Sequence, residues 1–150
     1  MNPADKRLAV RTEDHPLEYA KFEGVIPPGQ YGAGTVMVWD LGEYESPENQ
    51  PLEEQLARGK IHIELQGEKL RGAFALVKLE RRSSTSSRSD YWLLIKSRDE
   101  YADALWDIES PRFDYSVLTG RSLKEIKQAK PGKGPAVASR HKRPVHHQSR

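Results

Sequence analysis

The chain has 150 residues, 31% of them charged and 36% hydrophobic, with a formal net charge of +2. That length suits one domain burying roughly 70% of its unfolded surface. No cysteine is present, which excludes disulfides and thiolate metal sites. No apolar run approaches the ~20 residues of a membrane helix, and the N-terminus carries no signal-peptide core. These features fit a cytoplasmic protein, nucleoid-associated at most. The charge is unevenly placed. Residues 127–150 hold seven of the 24 Lys and Arg residues and none of the 22 acids, so residues 1–126 are net acidic by five. The pI of 8.8 therefore describes a basic tail more than a basic folded surface.

In chain order, residues 1–6 read as a loop, with Pro3 and Asp5 as turn formers. Alternation over Arg7-Leu8-Ala9-Val10-Arg11 predicts a strand. If the strand continues, Arg7, Arg11, Glu13 and His15 share a face. Pro16 biases His15 away from helix. A guanidinium, an acid and an imidazole together suit a phosphate and a divalent metal; the same pattern also describes a solvated strand edge. Residues 16–24 form a connection with one helical turn over Leu17–Phe22, in which Tyr19 is read as a packing aromatic. The Pro- and Gly-rich run from Pro27 to Gly34 predicts a tight loop into a strand over Thr35–Asp40. Its glycines suit either an anion nest or a glycine turn at a barrel corner, and the absence of Lys-Ser or Lys-Thr after them excludes a nucleotide P-loop.

Leu52 and Leu56 predict a short amphipathic helix ended by Gly59. Strands follow over Lys60–Leu65, Leu70–Leu79 and Tyr91–Lys96, with His62 on a polar face and a flexible polar loop over Ser83–Ser89. Asp99 is placed as the N-cap of a helix that buries Leu105 and Trp106. Ser122 and Glu125 have capping-box spacing. The expected core is Trp39, Leu65, Phe74, Leu76, Leu93 and Ile95. From residue 127 the chain is a basic tail expected to be disordered, in which His141, His146 and His147 are exposed.

The string RLAVRTEDHPLEYAKFEGVIPPGQYGAGTVMVWDLGEY resembles the 3′-phosphoesterase domain of bacterial ligase D, the multifunctional ligase of non-homologous end joining. The resemblance resumes at GKIHIELQGEKLRGAFALVKL, YWLLIKSRDEYA and SVLTGRSLKEI, so it covers nearly everything from residue 5 to 126. It implies a mainly β fold, a compact β-barrel, closed or partly open, with a few short helices. The implied organisation is a domain over 1–126 and a tail over 127–150. The implied activity is removal of a 3′ ribonucleoside and of the 3′ phosphate it leaves, with a divalent metal, usually manganese. Implied partners are DNA 3′ ends and a ligase, polymerase or Ku-type end-joining assembly.

The resemblance gives His15 as a metal ligand, Glu13 as an acid needed for ribonucleoside removal, Tyr19 as an active-site residue and Arg7 as a phosphate contact. The family's upstream His-Tyr-Asp-Leu-Arg-Leu-Glu-like string, which supplies further ligands, has no counterpart in this sequence. The expectation is therefore a late recorded start, a split gene or a non-catalytic binding module on the same scaffold, with a sheet edge that stays open or associates.

Overall fold

The computed structural model describes residues 1–12, 14–30, 32–79 and 90–129. The backbone divides into two compact units, Met1–Thr12 with Leu41–Glu109, and Glu13–Asp40 with Ser110–Arg150. The fold is mainly β, with two α-helices among the described residues.

The first unit is built on a five-stranded antiparallel sheet. Its strands are β1 (Lys6–Arg11), β4 (Gly42–Glu45), β5 (Lys60–Gly67), β6 (Arg71–Lys78) and β7 (Asp90–Lys96), in the order β1-β7-β6-β5-β4. The helix α1 (Leu52–Arg58) precedes β5. It ends as its sequence requires, on Gly59 in the left-handed region at φ 80°. β1 and β4 are the outer strands of this sheet among the described residues.

Directly opposed residues of an antiparallel pair share a face. Arg7 opposes Leu94, Leu94 opposes Leu76, and Leu76 opposes Ile61. The same face carries Phe74 opposite Lys96, and Trp92 opposite Ala9. It is the buried face: Phe74 and Lys96 are 1% exposed and Trp92 is 4% exposed. The other face carries Leu8, Leu93 and Val77 in register, and there Leu8 is 60% exposed.

This corrects the expected core in part. Phe74 is buried and Leu76 lies on its face, but Leu93 and Ile95 are half-buried on the opposite side, and Trp92 and Lys96 take their expected places on the buried face. A one-residue change in strand phase moves every side chain to the other face, and the continuous apolar run YWLLI carries no alternation to fix that phase. Leu65 and Trp39 are also only half-buried.

A second correction lies after β7. The helix expected from Asp99 is a series of turns, because Asp99, Asp103 and Asp107 each accept a hydrogen bond from the backbone N–H two residues on, at Tyr101, Leu105 and Glu109. Such side-chain bonds compete with the helical ladder. Leu105, expected inside, is 91% exposed.

α1 buries Gln55 rather than its leucines. The Gln55 amide is fully buried, donates to Ser46 and to the Gln50 carbonyl, and accepts from the His62 backbone N–H. The amide therefore splices the helix to β5. The strand β4 was absent from the sequence reading. It is admitted by Gly42, where an added Cβ would lie 2.1 Å from the Gln66 carbonyl oxygen.

The second unit contains the hairpin of β2 (Gly24–Ile26) and β3 (Gly34–Val36), and the helix α2 (Leu123–Gln128). β3 stops short of the expected Asp40. Beyond it Val38 is buried and its carbonyl accepts from Val117, while the Trp39 indole donates to the Phe113 carbonyl. α2 opens with the capping box expected at Ser122 and Glu125 and buries Ile126. The polar loop over Ser83–Ser89 and the tail from Lys130 lie outside the described residues.

Phe74 fills the centre of the first unit's buried face. Phe74→Ala should lower stability by about 3–5 kcal/mol, read from chemical denaturation with an unchanged denaturant slope. A loss below about 1 kcal/mol would mean that the sheet face is assigned wrongly.

Candidate functional site

Arg7 belongs to the first unit. β1 places it on the buried face beside Leu94, at an outer strand, with its side chain 32% exposed. Three carboxylates surround that guanidinium. Glu109 accepts a hydrogen bond from Nη1 at 2.9 Å, and Asp5 and Asp107 lie 3.7 and 3.9 Å from Nη2. A planar guanidinium at this place can hold a phosphate through paired N–H donors. As it stands, that charge is already answered by acids.

His15 and Tyr19 belong to the second unit. β1 ends at Arg11, so the strand alternation does not reach His15, and the expected shared face is not formed. Pro16 starts a 3-10 helix over Leu17–Lys21, and Tyr19 donates its backbone N–H to the Pro16 carbonyl. This brings the exposed imidazole of His15 edge-on to the Tyr19 ring, at 5.6 Å between centroids and 74° between planes. Tyr19 in turn leans on Phe22 at 6.2 Å. Sequence spacing alone left Tyr19 as a packing aromatic; the structure gives it both contacts, with the ring half-buried.

Glu13 lies outside the described residues. Among the described residues, no group of three or more His, Cys, Asp or Glu side chains converges as a metal shell. Hard divalent ions want several oxygen ligands, and one imidazole does not supply them. The described residues therefore do not fit a complete metal site.

The Pro- and Gly-rich loop between β2 and β3 folds through turns at Pro27–Gln30 and Gln30–Ala33, with Gly29 and Gly32 at φ 86° and 72°. It is a hairpin connection, which accords with the glycine-turn reading.

Sequence reasoning missed the clasp behind these elements. Glu23 accepts hydrogen bonds from the Val38 backbone N–H, the Thr119 hydroxyl and the Arg121 guanidinium. Its partners Thr119 and Arg121 are nearly a hundred residues away, and nothing local signals such a pairing. Burial opposes ionisation of Glu23, but bonds from Ser116, Thr119, the Val38 N–H and Arg121 outweigh it and hold the carboxyl below the usual glutamate range. Glu109 and Asp107 were missed as well, because Glu109 lies 102 residues from Arg7 in the sequence.

The first unit thus presents a guanidinium from a strand, and the second carries an imidazole–phenol pair in a turn. The comparisons give the family. The model of the DNA ligase D 3′-phosphoesterase domain matches residues 1–78, and the chain belongs to that family.

Among similar proteins is the multifunctional non-homologous end joining protein LigD of Pseudomonas aeruginosa, 46% identical over 125 residues, or 82% of this chain. The LigD of Mycolicibacterium smegmatis is 40% identical over 65% of the chain. The multifunctional non-homologous end joining DNA repair protein LigD of Mycobacterium tuberculosis is 33% identical over 73% of it. The chain spans 12–14% of the length of these relatives.

The Glu23 clasp makes a pH prediction. Because the folded carboxyl is depressed, unfolded Glu23 takes up a proton at a higher pH than folded Glu23, so acidification favours unfolding. The stabilisation is complete above about pH 5 and is lost as pH falls through the ordinary value of ~4.3 towards the depressed one. Thermal unfolding followed from about pH 6 to pH 3 should show a shallower acid loss in Glu23→Gln than in the wild type. Parallel curves would remove Glu23 as the titrating clasp.

Proposed function

We propose that this chain processes 3′ ends of DNA during double-strand-break repair by non-homologous end joining, removing a 3′ ribonucleoside and then the 3′ phosphate it leaves. The observation that carries this reading is family membership, with Arg7, Glu13, His15 and Tyr19 all standing in the matched segment. In this reading residues 1–126 are the end-processing domain and residues 127–150 a basic tail that meets the DNA backbone without sequence preference. Closure of the five-stranded sheet towards a barrel also belongs to it, as do a bacterial cytoplasmic setting and a ligase, polymerase or Ku-type partner.

The roles follow from the chemistry of each group. Arg7 grips the terminal phosphoryl oxygens. Tyr19 packs edge to face with the His15 ring and supplies a phenol hydroxyl to the same turn. Glu13 serves the ribonucleoside step, where a 2′-hydroxyl is present. His15 is this chain's ligand for a divalent metal, manganese by resemblance. Such an ion polarises phosphoryl oxygens when bound, but no step is assigned to it, because the described residues do not complete its shell. That incomplete set favours a second reading, a non-catalytic DNA-end or protein-binding module on the same scaffold.

Phosphate release from a duplex ending in a 3′ phosphate, with manganese present, separates the two. The expected turnover is slow, on the order of 10²-fold below a site with its metal fully held, since displacement by about 1 Å costs that much. His15→Ala should abolish it. No release, with binding to the phosphorylated end intact, would favour the binding module. Rapid turnover indifferent to His15 would contradict both the site and the incomplete-shell argument.

A further inference from the structure

We propose that Glu109 is a latch on Arg7, occupying the guanidinium until a terminal phosphate displaces it. This rests on the reading of Arg7 as a phosphate contact. Glu109 holds Arg7 at 2.9 Å, the single close contact among its three carboxylate neighbours. Its place is set by the chain: the Glu109 backbone N–H donates to Asp107 Oδ1, and that same oxygen lies 3.9 Å from Arg7. One side chain thus makes the turn that presents Glu109 and adds to the negative field on the guanidinium.

The two partners differ in freedom. Arg7 is anchored on β1 with its side chain 32% exposed, whereas the Glu109 side chain is 76% exposed. Glutamate leaves and arginine stays. An exposed pair of this kind is weak, so a phosphate dianion with two charges and paired acceptor oxygens can replace it. Until it does, one guanidinium faces three carboxylates, and the net negative field repels free phosphate. A phosphate tethered to bound DNA is supplied at high effective concentration and overcomes that field. The latch therefore selects phosphate presented on a DNA end over phosphate in solution.

The test compares binding of two short DNA duplexes, one ending in a 3′ phosphate and one in a 3′ hydroxyl, at low salt. The readout is the ratio of the two affinities, which cancels general attraction to DNA. Glu109→Gln should raise that ratio by about 3- to 10-fold, an effect that shrinks as salt screens exposed charges. It should also let inorganic phosphate compete at lower concentration. Glu53→Gln, which removes a charge from exposed α1 surface, should leave the ratio unchanged. An unchanged or lower ratio in Glu109→Gln overturns the latch, as does an equal rise in Glu53→Gln. Arg7→Ala separates the two levels. If it erases the phosphate preference while Glu109→Gln leaves it alone, only the latch fails. If Arg7→Ala has no effect, the phosphate role of Arg7 fails with it.

Discussion

A buried ammonium fixes the first unit. Lys96 is 1% exposed, and its Nζ donates to the Ala73 carbonyl at 3.0 Å, the Ser97 carbonyl at 3.0 Å and Asp99 Oδ1 at 2.6 Å. All three of its N–H groups are used, which is the condition for keeping a charge inside. The Phe74 ring lies 5.1 Å beneath it. Asp99 completes the knot by accepting the Ala73 backbone N–H with its other oxygen. Burial opposes its ionisation, but the Ala73 N–H, Lys96 and the Tyr101 N–H prevail and hold its carboxyl below the usual range. Gly72 is required there: its φ is +95°, and an added Cβ would lie 2.6 Å from Asp99 Oδ2. The knot ties β6, β7 and the following turn together. It fixes which face of β7 turns inward, the face on which Arg7 pairs opposite Leu94.

That dependence shows how far the sequence was legible. Periodicity and punctuation found β1, α1, β5, β6, β7 and the Ser122 capping box, because each is decided by neighbours in the chain. The short strands β2 and β4 carried no such signal; three or four residues are too few for a pattern, and pairing decides them. Phase was the harder matter. A lysine at a strand end reads as the start of solvent, yet Lys96 is inside because Asp99 and two carbonyls receive it. Once Lys96 and Trp92 face inward, Leu93 and Ile95 must face the other way. The turns after Asp99 failed for a related reason, since a residue that caps a helix also makes the side-chain bond that replaces one.

The candidate site was legible through motif and less so through geometry. Resemblance marked Arg7, Glu13, His15 and Tyr19, and the family assignment now rests on the matched segment. The condition that β1 continue to His15 is not met, since β1 ends at Arg11 and Pro16 opens a 3-10 helix that pairs the imidazole with Tyr19. The carboxylates around Arg7 were invisible: Glu109 is 102 residues away in sequence. The same holds for Glu23 and Arg121. Long-range ion pairs leave no periodic trace, so a sequence reading names the reactive group but not the groups that hold it in check.

The proposed roles give His15 to a divalent metal and leave the acids near Arg7 to another task. Titrating the isotopically labelled protein with manganese tests this directly, since the ion broadens nearby resonances. Signals of His15 and Tyr19 should fade first, at the high metal concentrations expected of an incomplete shell, and His15→Ala should abolish this. Broadening that begins at Asp5, Asp107 and Glu109 and survives His15→Ala would contradict it.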